Sequence, residues 1–240
     1  MNGENLSAGA IPETKPDSVG SMLVNIFLEP MKVFHRVQAK PSWVVPLIIS
    51  VLILTASGML VTPYQLEMQR QQIETNVDMQ PEQRQQALDG MDLVAPYAHW
   101  FALSTIVIVP IIFFIAVGVL MLMGNVILGG EAPFKQVASI YAWTGIISAL
   151  GMIVKTALIL WRQTADIRLS LAILLPSGDT SSPLYGILNT VTDLFFIWQI
   201  VILILGLALI YKFSKGRAAA VVLIPVAVIG GIFTIISVAF

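Results

Sequence analysis

Two long apolar runs, residues 102–124 and 137–160, are separated only by a short polar break. Crossing the ~30 Å hydrocarbon core of a bilayer takes about 20 helical residues, so each run is long enough to span it. The break, which contains Leu128-Gly129-Gly130-Glu131-Ala132-Pro133-Phe134-Lys135-Gln136, is too short to hold a domain. The two runs are therefore expected to be antiparallel neighbours in a membrane, joined by a tight turn. Gly129 and Gly130 supply backbone freedom where one helix stops. Pro133 suits the first turn of the next helix, where its missing N–H costs nothing. One of the two glycines is expected to take a positive φ, or to stand too close to a neighbouring helix for a side chain. Phe134 is expected to turn towards the bundle or the interface, and Lys135 towards the cytoplasm.

Composition agrees with a membrane protein. Apolar residues make up 57% and charged residues 11% of the 240, against ~45–50% and ~25% in soluble domains. The net charge of −1 gives no basic field for nucleic acid. With no cysteine there are no disulfides, thiolate metal sites or lipidated cysteines. The first apolar run begins after residue 40 and lacks a cleavage-type ending, so no cleavable signal peptide is expected.

The expected fold is an all-α, polytopic membrane bundle of five spans, at about 44–62, 102–124, 137–160, 194–211 and 218–240. Residues 1–18 are polar, carry Pro12 and Pro16, and read as a disordered tail. In residues 19–40, Leu23, Ile26, Phe27, Met31, Phe34 and Val37 recur at helical spacing among Lys32, Arg36 and Lys40, with Pro30 restarting the helix. This amphipathic segment is expected in the membrane interface; the alternative is that it packs on the bundle. Trp43 sits where an indole prefers the headgroup level. Residues 63–96 and 161–193 read as external loops with short helices of their own, and 177–183 as a flexible turn. Asp193 precedes the fourth span, where an acid favours the positive end of the helix dipole.

Within the spans, Pro110 is expected to bend the second helix and free a carbonyl. The third span is rich in small residues, including Gly145 and Ala149 four apart, and is expected at the centre of the bundle. Lys155 is the one charge well inside an apolar run. It is close enough to the end of the helix for its stem to reach the interface; the alternative is a buried functional lysine. His35 lies at the far end of the first span from His99, so the two cannot pair across one site and no histidine–carboxylate metal cluster is expected.

Charge sets the orientation. With five spans, Lys32, Arg36, Lys40, Lys135, Lys212, Lys215 and Arg217 fall on one side, close to membrane ends. Arg70, Arg84, Arg162 and Arg168 fall on the other, in longer acid-rich loops. The positive-inside rule then places the N-terminus in the cytoplasm.

The sequence resembles the Yip1 domain family. Glu29-Pro30 with Phe34 and the Pro41-Ser42-Trp43 entry are similar to that family's segment before the first span. Leu128-Gly129-Gly130, then Phe134-Lys135-Gln136, Ala138 and Tyr141-Ala142 are similar to its loop and third span, and Trp198 with Ser214-Lys215-Gly216-Arg217-Ala218 to its last hairpin. The likeness covers roughly residues 30–240. It implies an all-helical bundle with a cytosolic N-terminus. Eukaryotic members are tied to vesicle trafficking and Rab GTPases, a role not carried over here. The loop at 63–96 looks more like bacterial members, which implies a bacterial cytoplasmic membrane.

Three function classes follow. The first is a non-enzymatic scaffold or adaptor, with no cofactor, whose Lys32, Arg36, Lys40, Lys212, Lys215 and Arg217 contact anionic headgroups at about 1 kcal/mol each. Its partners would be membrane lipids and a membrane or cytoplasmic protein. The second is a transporter or lipid-translocating protein with Pro110, Lys155 and the third span lining a path; a polar cavity beside Lys155 would favour it. The third is an enzyme, the weakest, because Asp166, Asp179, Asp193 and His99 form no recognised constellation.

Overall fold

The computed structural model describes residues 18–175 and 183–239. The expected tail, apart from Ser18, and all but the last residue of the turn at 177–183 lie outside the described residues. The described chain folds as α1 (Val19–Leu28), α2 (Pro30–Ala39), α3 (Val44–Thr75), α4 (Pro81–Val94), α5 (Ala98–Met121), α6 (Phe134–Arg162), α7 (Pro183–Val191), α8 (Leu194–Tyr211) and α9 (Lys215–Ala239). No strand occurs among the described residues. Five helical stretches are long and apolar enough to cross a membrane: Val44–Thr75, Pro81–Ile127, Phe134–Arg162, Leu194–Tyr211 and Lys215–Ile232.

α6 is the centre. It packs against α3, α5 and α8, and its outer surface also receives α1 and α2. Small residues make that possible. Ala138, Ser139, Ala142, Thr144 and Ala149 are all buried, and a side chain at Gly145 would only touch Ser50 of α3, at 3.9 Å. The packing is tighter where α8 crosses, because a Cβ on Gly151 would lie 2.6 Å from the Phe195 ring. Dispersion between closely approaching helices replaces the hydrophobic drive that lipid does not supply.

One expectation needs correction. The first helix does not stop at residue 62 to leave a separate loop helix. α3 runs on through Pro63 to Thr75. Proline inside a helix removes one backbone bond and crowds a carbonyl, yet the residues beyond it, Gln65 to Gln72, are mostly strong helix formers. The extension is also held in place: Val61 packs with Ile159 and Ile167 in a small second core, and Tyr64 Oη donates to Gln163 Oε1 at 3.2 Å. α5 likewise stays helical through Pro110 and continues past residue 124, as a wider π-helical turn over Leu122–Ile127.

Residues 19–40 pack on the bundle with part of their apolar surface, while Val24, Leu28 and Met31 are exposed. Met22, Ile26, Val33, Phe34 and Val37 are buried in the main core, against α6 and α8. The helix breaks at Glu29, with Pro30 opening α2. The bundle offers this face a packed surface, and a packed surface makes more dispersion contacts than a fluid headgroup layer.

Trp43 sits in an aromatic belt across three helices, with ring centres 5.9 Å from Phe113, 5.6 Å from Phe114 and 6.4 Å from Phe134. Behind it, the fully buried Trp143 donates Nε1–H to the Ser42 carbonyl at 3.0 Å. That bond ties the linker before α3 to the centre of α6. Trp143→Phe removes the donor, keeps most of the ring, and should cost about 1 kcal/mol. Thermal unfolding in detergent checks this: an unchanged midpoint would mean that the carbonyl finds another partner.

The opposite end of the bundle is held by polar contacts. Asp193 is the N-cap of α8, accepting from the backbone N–H groups of Phe195 at 2.9 Å and Phe196 at 3.0 Å. Arg168 pairs with Asp166 at 2.7 Å and donates to the carbonyls of Ala172 and Leu175 at 3.1 and 2.9 Å. Its guanidinium also lies 5.1 Å from the Tyr185 ring centre. Burial, with the Asp166 carboxylate adding, pushes the Tyr185 phenol above its ordinary value. Arg70 pairs with Asp92, fastening α4 back onto the end of α3.

Candidate functional site at the basic end of the bundle

The α5–α6 turn is built on backbone that only glycine accepts. Gly129 has φ +64°, and nothing lies within 4 Å of where its Cβ would stand. Gly130 has the opposite problem. A Cβ there would lie 2.5 Å from Tyr211 Cδ1, 2.8 Å from Phe213 Cζ and 2.9 Å from the Gly124 carbonyl oxygen. The Gly130 N–H donates to that same carbonyl at 2.8 Å. Gly124, in the π-helical turn, is equally bare: its Cβ would meet the Tyr211 ring at 2.4 Å. The widened turn thus lets the α5 backbone lie against the end of α8. Asn125 Nδ2 donates to the Ala132 carbonyl at 3.0 Å and closes the turn on itself.

The last hairpin locks onto this turn. Lys212 ends α8 in the left-handed region, with φ +55°. Phe213 stacks on Tyr211 with ring centres 5.1 Å apart, and the Arg217 guanidinium lies 4.3 Å from the Phe213 ring centre. Arg217 also donates to the Leu128 carbonyl at 2.6 Å. Arg217 therefore joins α9 to the α5–α6 turn through a charge-assisted bond and a cation–π contact. On the other flank, Gln136 Nε2 of α6 donates to the Gln38 carbonyl of α2 at 2.8 Å.

These contacts bring the ends of α2, α5, α6, α8 and α9 to one end of the molecule. Lys32, Lys40, Lys135, Lys212, Lys215 and Arg217 are exposed and Arg36 is half-buried; among the described residues, the acids adjoining these cations in the sequence are Glu29 and Glu131. Phe134 is 39% exposed, and its ring stacks on Phe114 at 6.3 Å. The close fit of Tyr211 and Phe213 on Gly124 and Gly130 escaped sequence reasoning. Its one trace was Gly124-Asn125 at the end of an otherwise apolar run.

Elsewhere, two of the three acids considered for catalysis have structural partners. Asp166 pairs with Arg168, and Asp193 caps α8; Asp179 lies outside the described residues. His99 rests beside Trp100, with ring centres 5.1 Å apart. No group of three or more His, Asp or Glu residues that could hold a metal ion occurs among the described residues.

A family model for the Yip1 domain matches residues 24–237. No curated protein and no solved structure matches the chain.

Proposed function

The chain belongs to the Yip1 domain family, and from that premise we propose that it is a non-enzymatic scaffold or adaptor of a bacterial cytoplasmic membrane. In this reading the basic end faces the cytoplasm, as does the N-terminus. It holds anionic headgroups and presents the α5–α6 turn and the last hairpin to a protein partner. The observation that carries the proposal is the cluster of exposed cations whose backbone positions are fixed by Arg217–Leu128 and Gln136–Gln38. Fixed cations act together on a lipid surface, at about 1 kcal/mol each. The transport alternative would be favoured by a polar cavity beside Lys155; Lys155 is not among the residues that line the cleft between α3, α5, α6 and α8.

The test uses the full chain, because the apolar face of residues 19–40 is part of the core. Lys32, Lys40 and Lys215 are exposed and can be changed to Gln together. The triple variant should retain added phosphatidylglycerol on the order of 100-fold more weakly, at about 1 kcal/mol per cation. Phosphatidylcholine should be retained alike by both forms. Equal retention of the two lipids by the unaltered protein would overturn the headgroup reading. Orientation is separately readable: the chain has no cysteine, so single cysteines at Lys215 and at Gln80 report their sides by reaction with an impermeant maleimide.

A further inference from the structure

We propose that the cleft between α3, α5, α6 and α8 is a binding site, opening within the membrane, for an uncharged amphiphile. The ligand would be a slim hydrocarbon chain ending in a hydroxyl or carbonyl group. The cavity has a volume of about 250 Å³, room for roughly eight groups of water size at ~30 Å³ each. Leu47, Leu54, Val109, Ile112 and Phe113 form apolar walls. Along α3 and α6 the lining runs from Leu47 to Leu54 and from Tyr141 to Ser148, about two helical turns, or ~10 Å. It begins beside Phe113 of the aromatic belt and continues into the bundle. Ile112 lines the cavity and is 55% exposed, so the opening is towards lipid.

The polar groups in this cleft are what a hydrocarbon filling cannot explain. Ser50 is 8% exposed, lines the cavity, and its hydroxyl has no hydrogen-bond partner. A buried hydroxyl without a partner is costly and calls for one. Ser148 and Gln199 line the same cavity. The Ser148 hydroxyl donates to Gln199 Oε1, which leaves the amide N–H groups of Gln199 as donors. Ser50 and Gln199 can together bind one hydroxyl or carbonyl oxygen. No charged residue lines the cleft, so an ionised ligand would enter without a counter-charge in a low-dielectric site. Polar side chains inside a membrane mark functional positions more often than surface ones do. This site is separate from the basic end and does not rest on the headgroup reading.

The test is photolabelling of the full chain in detergent, with two probes: an eight-carbon alcohol carrying a diazirine, and the matching alkane without the hydroxyl. The alcohol should label residues between 47 and 54, 109 and 113, and 141 and 148, and unlabelled octanol should compete while octanoate should not. Ser50→Ala keeps the fold and removes the hydroxyl; it should lower alcohol labelling several-fold and leave alkane labelling unchanged. Ser50→Leu should abolish labelling by both. Diffuse labelling over the lipid-facing surfaces would overturn the proposal. So would alcohol labelling that is the same in Ser50→Ala as in the unaltered protein.

Discussion

Gly130→Val should destabilise the bundle by about 3 kcal/mol or more, the upper end of what overpacking costs. The position has no room. Its Cβ would lie 2.5 Å from Tyr211 Cδ1 and 2.8 Å from Phe213 Cζ, and those rings could rotate aside only by breaking their mutual stack. The third neighbour, the Gly124 carbonyl at 2.9 Å, is backbone within a helix and cannot rotate away. Moving it would also break the bond from the Gly130 N–H at 2.8 Å. Gly129→Ala serves as the contrast. There the space is open and only the conformation, φ +64°, resists a side chain. That change should cost about 1–2 kcal/mol. Thermal unfolding in detergent of the two variants against the unaltered protein decides it. If Gly130→Val melts no lower than Gly129→Ala, the close approach of α8 to the turn does not hold the bundle together.

Phe34→Ala should cost about 3–5 kcal/mol, the usual range for a large aromatic lost from a packed core. The Phe34 ring is fully buried. It sits directly on Gly206 of α8, whose added Cβ would be 3.2 Å from two ring carbons. Ile140 of α6 meets the same glycine, 2.6 Å from where its Cβ would stand. Without the ring, α2 keeps Val33 and Val37 but loses its anchor. The effect should be local before it is global. Limited proteolysis should cut within residues 19–40 of the variant at detergent conditions that leave the unaltered chain whole, with the spans cut no faster. Uniform acceleration along the chain, or none at all, would show that α2 docks by other contacts.

The sequence by itself determined the class of fold, because the rule it obeys is one of length. An apolar run long enough to cross hydrocarbon must be helical there, and five such runs are visible without any knowledge of their neighbours. It also determined the place of α6, since small residues at helical spacing are tolerable only where other helices come close. Gly129-Gly130 was legible as a turn for the same local reason.

What remained for the tertiary structure were choices between partners. The amphipathic segment at 19–40 carries many apolar residues, and nothing in its own pattern says which of them meet a groove between α6 and α8; the fit of Phe34 on Gly206 placed that ring there. Pro63 signals a stop locally, but Val61 and Tyr64 on either side of it pack with Ile159 of α6 and Ile167 just beyond that helix. The demand at Gly130 comes from Tyr211 and Phe213, far along the chain. Ser50, Ser148 and Gln199 are isolated polar residues in three separate apolar runs, and they become one site only when those helices meet. Span length and small-residue spacing act within one helix, whereas docking, close approach and shared cavities depend on surfaces that no single helix carries.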